Sequence, residues 1–218
     1  MGYRTALVIM ARYPAIGEVK TRLARAIGAE RACALYRAFL GDLQARFGEQ
    51  RRALVWAFHP PESDFAAVVA AGARCLPQRG GTLGERMHNG FRYLCGDGFG
   101  RVLMIGADVP HVRDEWLDEA EEHLERADVV LGPTADGGYY LIAMRAPHDV
   151  FTGIETSTPH VLTDTRRKAA ESGLRVHLLP TSFDVDDEPD LLRLRALLAD
   201  GGEALRIPAT AALLKEWD

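Results

Sequence analysis

Cysteine is scarce: Cys33, Cys75 and Cys95 are the only three in 218 residues, and no two stand in a Cys-x-x-Cys pair. That spacing excludes a zinc knuckle and a redox dithiol, and a reducing, cytoplasmic setting is expected. Long apolar runs are missing too. The stretch Ala6 to Met10 is too short for a signal-peptide core or a membrane span, and no small-residue cleavage site follows it, so it reads as a buried strand. Positive charge is in deficit, with a formal net charge of -5, which argues against a generic nucleic-acid surface while leaving room for a locally basic pocket. The chain has no Gly-x-Ser-x-Gly elbow, no Walker loop and no Gly-x-Gly-x-x-Gly dinucleotide fingerprint. None of the seven histidines forms an i, i+4 pair with another, so they read as isolated surface residues. Ala11-Arg12 after the first strand also disfavours a phosphatase with an Asp nucleophile there.

What is present is a balanced globular chain, 47% hydrophobic and 26% charged, of a size that suits one α/β domain over residues 1–218 with no linker or repeat. Thr5 to Ala11 is a continuous apolar run, the mark of a central parallel strand covered on both faces. Ala29 to Phe47 carries Ala32, Leu35, Tyr36, Phe39, Leu40 and Leu43 at helical spacing. Strands are predicted at Ala53–Phe58, Arg101–Ile105, Val129–Leu131, Tyr139–Met144 and Arg175–Leu179, with the third and fourth of these forming a mixed edge. Helices are predicted at Ser63–Ala71, Leu83–Leu94, Glu115–Arg126 behind an Asp114 cap, Ser157–Gly173, Pro189–Ala199 and Ile207–Trp217.

Two places concentrate chemistry. The loop Arg12 to Arg22 joins the first strand to a helix: Gly17 permits a tight turn, Lys20 is a point charge for a phosphate, Thr21 a hydrogen-bond donor and Arg22 a fork that can clamp two phosphate oxygens. A solvated basic helix start accounts for the spacing equally well. Asp108 stands at the carboxyl end of a buried strand, where open parallel sheets bind ligands, and Pro110 turns the chain away behind it. Magnesium takes one or two carboxylates plus phosphate oxygens and water, so Asp108 needs a second acid. Asp184 and Asp186 flank an inward-pointing Val185 and supply candidates, although Asp186 or Asp187 is also placed to cap the following helix. Asp136-Gly137-Gly138-Tyr139 sets an acid beside two residues without side chains, which lets a ligand approach the backbone or simply makes a turn. Gln78 to Arg86, with Gly84 and a Thr82 cap, could hold a base or ribose.

Taken in order, Arg12-Tyr-Pro-Ala-Ile-Gly-Glu-Val-Lys-Thr-Arg-Leu23, Gly84-Glu-Arg-Met87, Gly106-Ala-Asp-Val-Pro110, Asp136-Gly-Gly-Tyr-Tyr140, Ser157-Thr-Pro159 and Asp184-Val-Asp186 resemble a bacterial GT-A family of the nucleotide-diphospho-sugar transferase superfamily. That family is commonly labelled a glycosyltransferase, including one of arsenosugar biosynthesis, and the same motifs are similar to those of phospholactate guanylyltransferase. The resemblance covers nearly the whole chain. It implies a three-layer GT-A or Rossmann-like α/β fold with a mostly parallel, mixed central sheet. It further implies a nucleotide or nucleotide sugar held at the carboxyl ends of the strands, with Lys20 and Arg22 on its phosphates. Arg12, Gly17, Thr21, Gln78, Gly84, Arg86, Asp136, Gly137, Gly138 and Tyr139 would surround the donor and a small-molecule acceptor. Asp108, Asp186 and Asp184 would hold Mg2+ or Mn2+. The family more often has a hydroxyl residue where Ala107 stands and a small polar one at Val109. Three readings follow from it: glycosyl transfer from a nucleotide sugar, nucleotidyl transfer to a phosphorylated substrate with release of pyrophosphate, and a non-catalytic nucleotide-binding module. No nucleic-acid partner and no membrane span are expected, and the oligomeric state is not legible.

Overall fold

The structure is a computed structural model and describes residues 4–48, 51–156, 158–199 and 206–217. Seven strands form one sheet in the order β3-β2-β1-β4-β6-β5-β7. They are β1 (Thr5–Arg12), β2 (Ala53–His59), β3 (Arg74–Pro77), β4 (Arg101–Gly106), β5 (Val129–Pro133), β6 (Tyr139–Met144) and β7 (Val176–Leu178). All the pairings are parallel except those of β6, which runs antiparallel between β4 and β5. The helices are α1 (Thr21–Ile27), α2 (Ala29–Phe47), α3 (Leu83–Gly96), α4 (Asp114–His123), α5 (Val161–Glu171), α6 (Glu188–Ala199) and α7 (Pro208–Lys215).

Alternation along the strands explains the three layers. On β1, Leu7, Ile9 and Ala11 enter one core while Ala6 and Val8 enter the other, and β4 divides Leu103 and Ile105 from Val102 and Met104 in the same way. α1, α2, α4, α6 and α7 cover the first face through residues such as Leu23, Phe39, Leu117, Leu194 and Leu214. α3 and α5 cover the second through Phe91, Leu94 and Ala169. Side chains as fully buried as Phe39, Leu43, Trp56 and Phe91 each contribute about 1.5–3 kcal/mol by leaving water. Asp42 is buried on α2, and its carboxylate accepts the N–H groups of Ala209 and Thr210 at 2.8 and 2.9 Å, docking the start of α7.

Several expectations need correction. The helix expected over Ser63–Ala71 is only a single 3-10 turn at Phe65–Ala67. One buried anchor, Phe65 against Phe58 and Trp56, pins this segment, and the Ser63 hydroxyl donates to the Pro60 carbonyl at 2.7 Å. The chain then enters β3, a strand not predicted because Arg74-Cys-Leu-Pro77 is half-buried throughout, and its proline is tolerated only because it ends an edge strand. β6 is not part of an edge. It lies inside the sheet, buried along Tyr140–Met144, and β7 is the edge beyond β5. Asp114 does not cap α4, since Arg113 holds that position and the Asp114 carboxylate meets Arg46 at 3.4 Å. α5 begins at Val161 behind His160, with Thr158 turning the chain just before it; Ser157, expected at its start, lies outside the described residues. The histidines are not all isolated at the surface. His111 is buried against Phe183, where burial lowers its imidazole to about 4, and the rings of His123 and His177 stack on one another.

Candidate functional site

A cleft of about 820 Å³ opens at the carboxyl ends of the parallel strands, and Asp108, Asp184 and Asp186 stand together on its floor. Each offers one carboxylate oxygen, and the three oxygens lie within 4.8 Å of one another. Backbone bonds set this spacing. The 182–186 segment runs beside the end of β5, where Ser182 donates to the Pro133 carbonyl at 2.9 Å, and then beside Asp108, whose carbonyl accepts the Val185 N–H at 3.0 Å. Val185 is fully buried, and the aspartates on either side of it face the cleft. Asp187, not Asp186, takes the capping role at α6 by accepting the Asp190 N–H at 3.1 Å, which leaves Asp186 free for the cleft. Ala107 and Val109, where the resembling family more often has polar residues, are buried in the core below the sheet end. Hydroxyls at those positions would have to find partners inside the core.

The Arg12–Arg22 loop reaches the same floor. Val19 plugs the core, and Lys20 follows it in a left-handed conformation, φ 50°, that throws its side chain inward immediately before α1. Its ammonium is almost wholly buried and lies 2.8 Å from Asp186 and 3.3 Å from Asp108, so it joins the two acids instead of standing opposite them. Arg22 pairs with the other oxygen of Asp186 from a more exposed position. Burial alone would lower the Lys20 pKa, but Asp108 and Asp186 raise it overall. Burial likewise works against the Asp186 charge, yet Lys20 and Arg22 hold its pKa below the usual range. Among the described residues no cation pairs with Asp184. Burial, followed by the charges of Asp108, Asp186 and Asp136, raises it to about 7.

Of the other residues singled out from the sequence, Arg12, Gly84, Arg86, Asp136, Gly138 and Tyr139 line the cleft. Arg86 lies over the Gly80 turn, its Nε donating to the Gly80 carbonyl at 3.0 Å. The Asp136 carboxylate accepts the Thr134 hydroxyl and the Gly138 N–H, which fixes its direction. Gln78 reaches the cleft, but its amide donates to the carbonyls of Ala57 at 2.8 Å and Ala11 at 3.4 Å, so it ties the ends of β1 and β2 together. Gly17, Thr21 and Gly137 are not among the lining residues. Gly137 acts from behind: with φ +93° it packs on the Pro159 carbonyl, and its own carbonyl accepts the Leu162 N–H at 2.9 Å, holding the wall that carries Thr158 and Pro159 in place. His59, Thr134 and Thr156 also line the cleft and were not anticipated. His59 ends a parallel strand, so the rule that singled out Asp108 would have found it; burial and then Arg86 and Arg12 lower its pKa.

Charge divides the cleft. Arg12 and His59 end β1 and β2 on one side of β4, with Arg86 close enough to lower the His59 pKa, whereas Thr134, Asp136 and Tyr139 come from the β5–β6 connection on its other side, and no lining residue after Asp108 is basic among those described.

The comparisons with known proteins agree with this architecture. A crystal structure from Desulfovibrio desulfuricans G20, of a protein provisionally described as a nucleotide-diphospho-sugar transferase, is 33% identical over 99% of this chain and 95% of its own, with a TM-score of 0.90. A 4-diphosphocytidyl-2C-methyl-D-erythritol synthase shares the fold at 17% identity and a TM-score of 0.57, with 91% of this chain and 99% of that one covered. A CMP:2-keto-3-deoxy-manno-octonic acid synthetase complexed with CTP shares it at 13% identity and a TM-score of 0.56, with the same two shares of chain covered. A search of curated proteins found no match to the chain. The profile of one family matches residues 42–158, a span that includes Asp108 and Asp136, and the chain belongs to that family, described as "Uncharacterized protein conserved in bacteria (DUF2064)".

Proposed function

We propose that this protein is a cation-dependent transferase that moves a glycosyl group from a nucleotide-diphospho-sugar to a small acceptor. The observation that carries the reading is the meeting of three carboxylates with a basic half-cleft at the carboxyl end of the sheet. The donor set suits Mg2+ or Mn2+: hard oxygen ligands, few in number, with room for phosphate oxygens and water. The raised Asp184 pKa fits the same group, because a dication would offset the burial and the neighbouring carboxylate charges that raise it. When bound by Asp108, Asp184 and Asp186, the cation would supply charge neutralisation for the diphosphate.

The chain's own residues account for the rest. Arg12, Arg22 and Arg86 offer guanidinium forks to the donor phosphates, and Lys20 holds Asp108 and Asp186 in a common orientation while cancelling part of their charge. The leaving diphosphate would collect its negative charge on this side, where fixed positive charge stabilises it most. Across the cleft, Asp136 is held ready to accept a hydrogen bond from an acceptor hydroxyl, with Thr134, Thr156 and Thr158 nearby. An acceptor bearing a phosphate would meet Asp136 and no lining cation there, so a neutral hydroxyl compound fits better. The resemblance to the D. desulfuricans protein supports the same donor class. One observation favours a second reading, nucleotidyl transfer: the number of cationic groups on the donor side also suits a triphosphate.

Thermal shift with a panel of nucleoside triphosphates and nucleotide sugars, with and without Mg2+ or Mn2+, tests this. A ligand at a hundred times its Kd stabilises by about 2.7 kcal/mol, or roughly 5–10 °C for a chain of this size. A nucleotide sugar giving the largest metal-dependent shift supports glycosyl transfer; a triphosphate doing so, with pyrophosphate released, favours nucleotidyl transfer. Asp108→Ala should lose the metal-dependent part of the shift. A panel in which no nucleotide stabilises the protein removes the proposal.

A further inference from the structure

Away from the cleft, α4 and the edge strand β7 bring Glu119, His123 and His177 together, with one possible ligand atom from each within 4.8 Å of the others. Glu119 and His123 stand one helical turn apart on α4, a spacing that presents both on one face, and His177 is the middle residue of β7. The two imidazoles stack with centroids 3.3 Å apart and planes within 10°. Glu119 Oε1 lies 3.5 Å from His177 Nε2 and 3.9 Å from His123 Nε2. Yet His177 Nε2 is shielded from solvent and makes no hydrogen bond. The His177 side chain is 30% exposed, so the shielding is confined to the nitrogen that faces the Glu119 carboxylate.

We propose that Glu119, His123 and His177 form a binding site for Zn2+ or a similar borderline transition cation such as Co2+ or Ni2+. Ligand atoms at about 2.0–2.1 Å from a tetrahedral ion stand roughly 3.3–3.4 Å apart, so Glu119 Oε1, at 3.5 and 3.9 Å from the two ring nitrogens, needs little movement, whereas the two parallel rings must rotate out of their stack so that both nitrogen lone pairs point at the ion. Two imidazoles and one carboxylate select such ions, whereas the all-oxygen group at Asp108 selects Mg2+ or Mn2+, so the chain would sort two kinds of cation by ligand chemistry. Three protein ligands leave a fourth position for water. The ion would tie α4 to the outermost strand of the sheet, an edge otherwise held on one side by β5.

Tag-free, EDTA-treated protein titrated with Co2+ tests this. The expected result is the intense visible d–d absorption of tetrahedral, imidazole-bound Co2+, saturating at one equivalent and displaced by Zn2+. It should persist in Asp108→Asn, and it should weaken at least tenfold in affinity in His177→Gln and in Glu119→Gln, two shape-conserving changes on different elements. Zn2+ should raise the melting temperature of the wild type by roughly 5 °C or more at a hundred times its Kd and leave His177→Gln unmoved. Weak octahedral absorption alone, a band that survives both substitutions, or a band lost in Asp108→Asn would overturn the proposal.

Discussion

Substituting Asp184 by asparagine should make the metal-free protein more stable at pH 8 and leave it nearly unchanged at pH 4. The wild-type acid has its pKa raised from 3.8 to about 7 by burial and by Asp108, Asp186 and Asp136. Folding therefore takes up a proton between those values. The sign follows: the Asp184 contribution to stability is fully present below about pH 4, declines as pH rises through the window and stays low above the folded pKa. At about 1.4 kcal/mol for each pKa unit the upper bound is roughly 4 kcal/mol, and partial access to solvent brings the expectation nearer 2 kcal/mol. The asparagine side chain would keep the shape and could not ionise, so the difference in unfolding free energy should grow from near zero at pH 4 to about 2 kcal/mol in the variant's favour at pH 8. Urea unfolding in EDTA at half-unit pH steps measures it, with Mg2+ added in a second series that should narrow the gap. A difference that does not vary with pH, or a variant less stable than wild type at pH 8, would refute the account of the carboxylate group.

Three further outcomes are expected. Lys20→Met should cost about 3 kcal/mol in urea unfolding, because Asp108 and Asp186 would be left facing each other without the buried ammonium. That loss should be steady across neutral pH, since the raised Lys20 pKa keeps its contribution complete below 10.5 and the lowered Asp186 pKa keeps its own complete above 3.8. Gly137→Ala should lose more than about 2 kcal/mol, read as a fall in melting temperature, because φ is +93° and a methyl group would overlap the Pro159 carbonyl. Gln78→Leu should cost about 1–3 kcal/mol by removing two side-chain hydrogen bonds that join the ends of β1 and β2 while nucleotide affinity stays nearly unchanged; a large loss of affinity would return Gln78 to the ligand-binding set.

Much of this protein could be read from its sequence because the relevant physics is local. Apolar spacing over Ala29–Phe47 marked α2 at both ends, Thr82 forms the expected cap of α3 with Glu85 completing it, and a strand end followed by Pro110 singled out Asp108. The basic loop was equally visible as a cluster of charge. Tertiary structure decided what those residues meet. Lys20 finds Asp108 and Asp186 across 88 and 166 positions of chain, and the left-handed turn at Lys20 that aims it is not encoded by a glycine. Strand order placed β6 inside the sheet, and only the docking of β7 beside α4 brought His177 to Glu119 and His123. Hydrophobic period and turn chemistry act within a few residues, so sequence alone determined the strongly patterned elements and the kinds of chemistry they carry, but not the half-buried β3 or the short turn at Phe65–Ala67. Charge pairing, shifted acidity and ligand geometry depend on separations of a few ångströms between distant segments, and only the assembled sheet sets those.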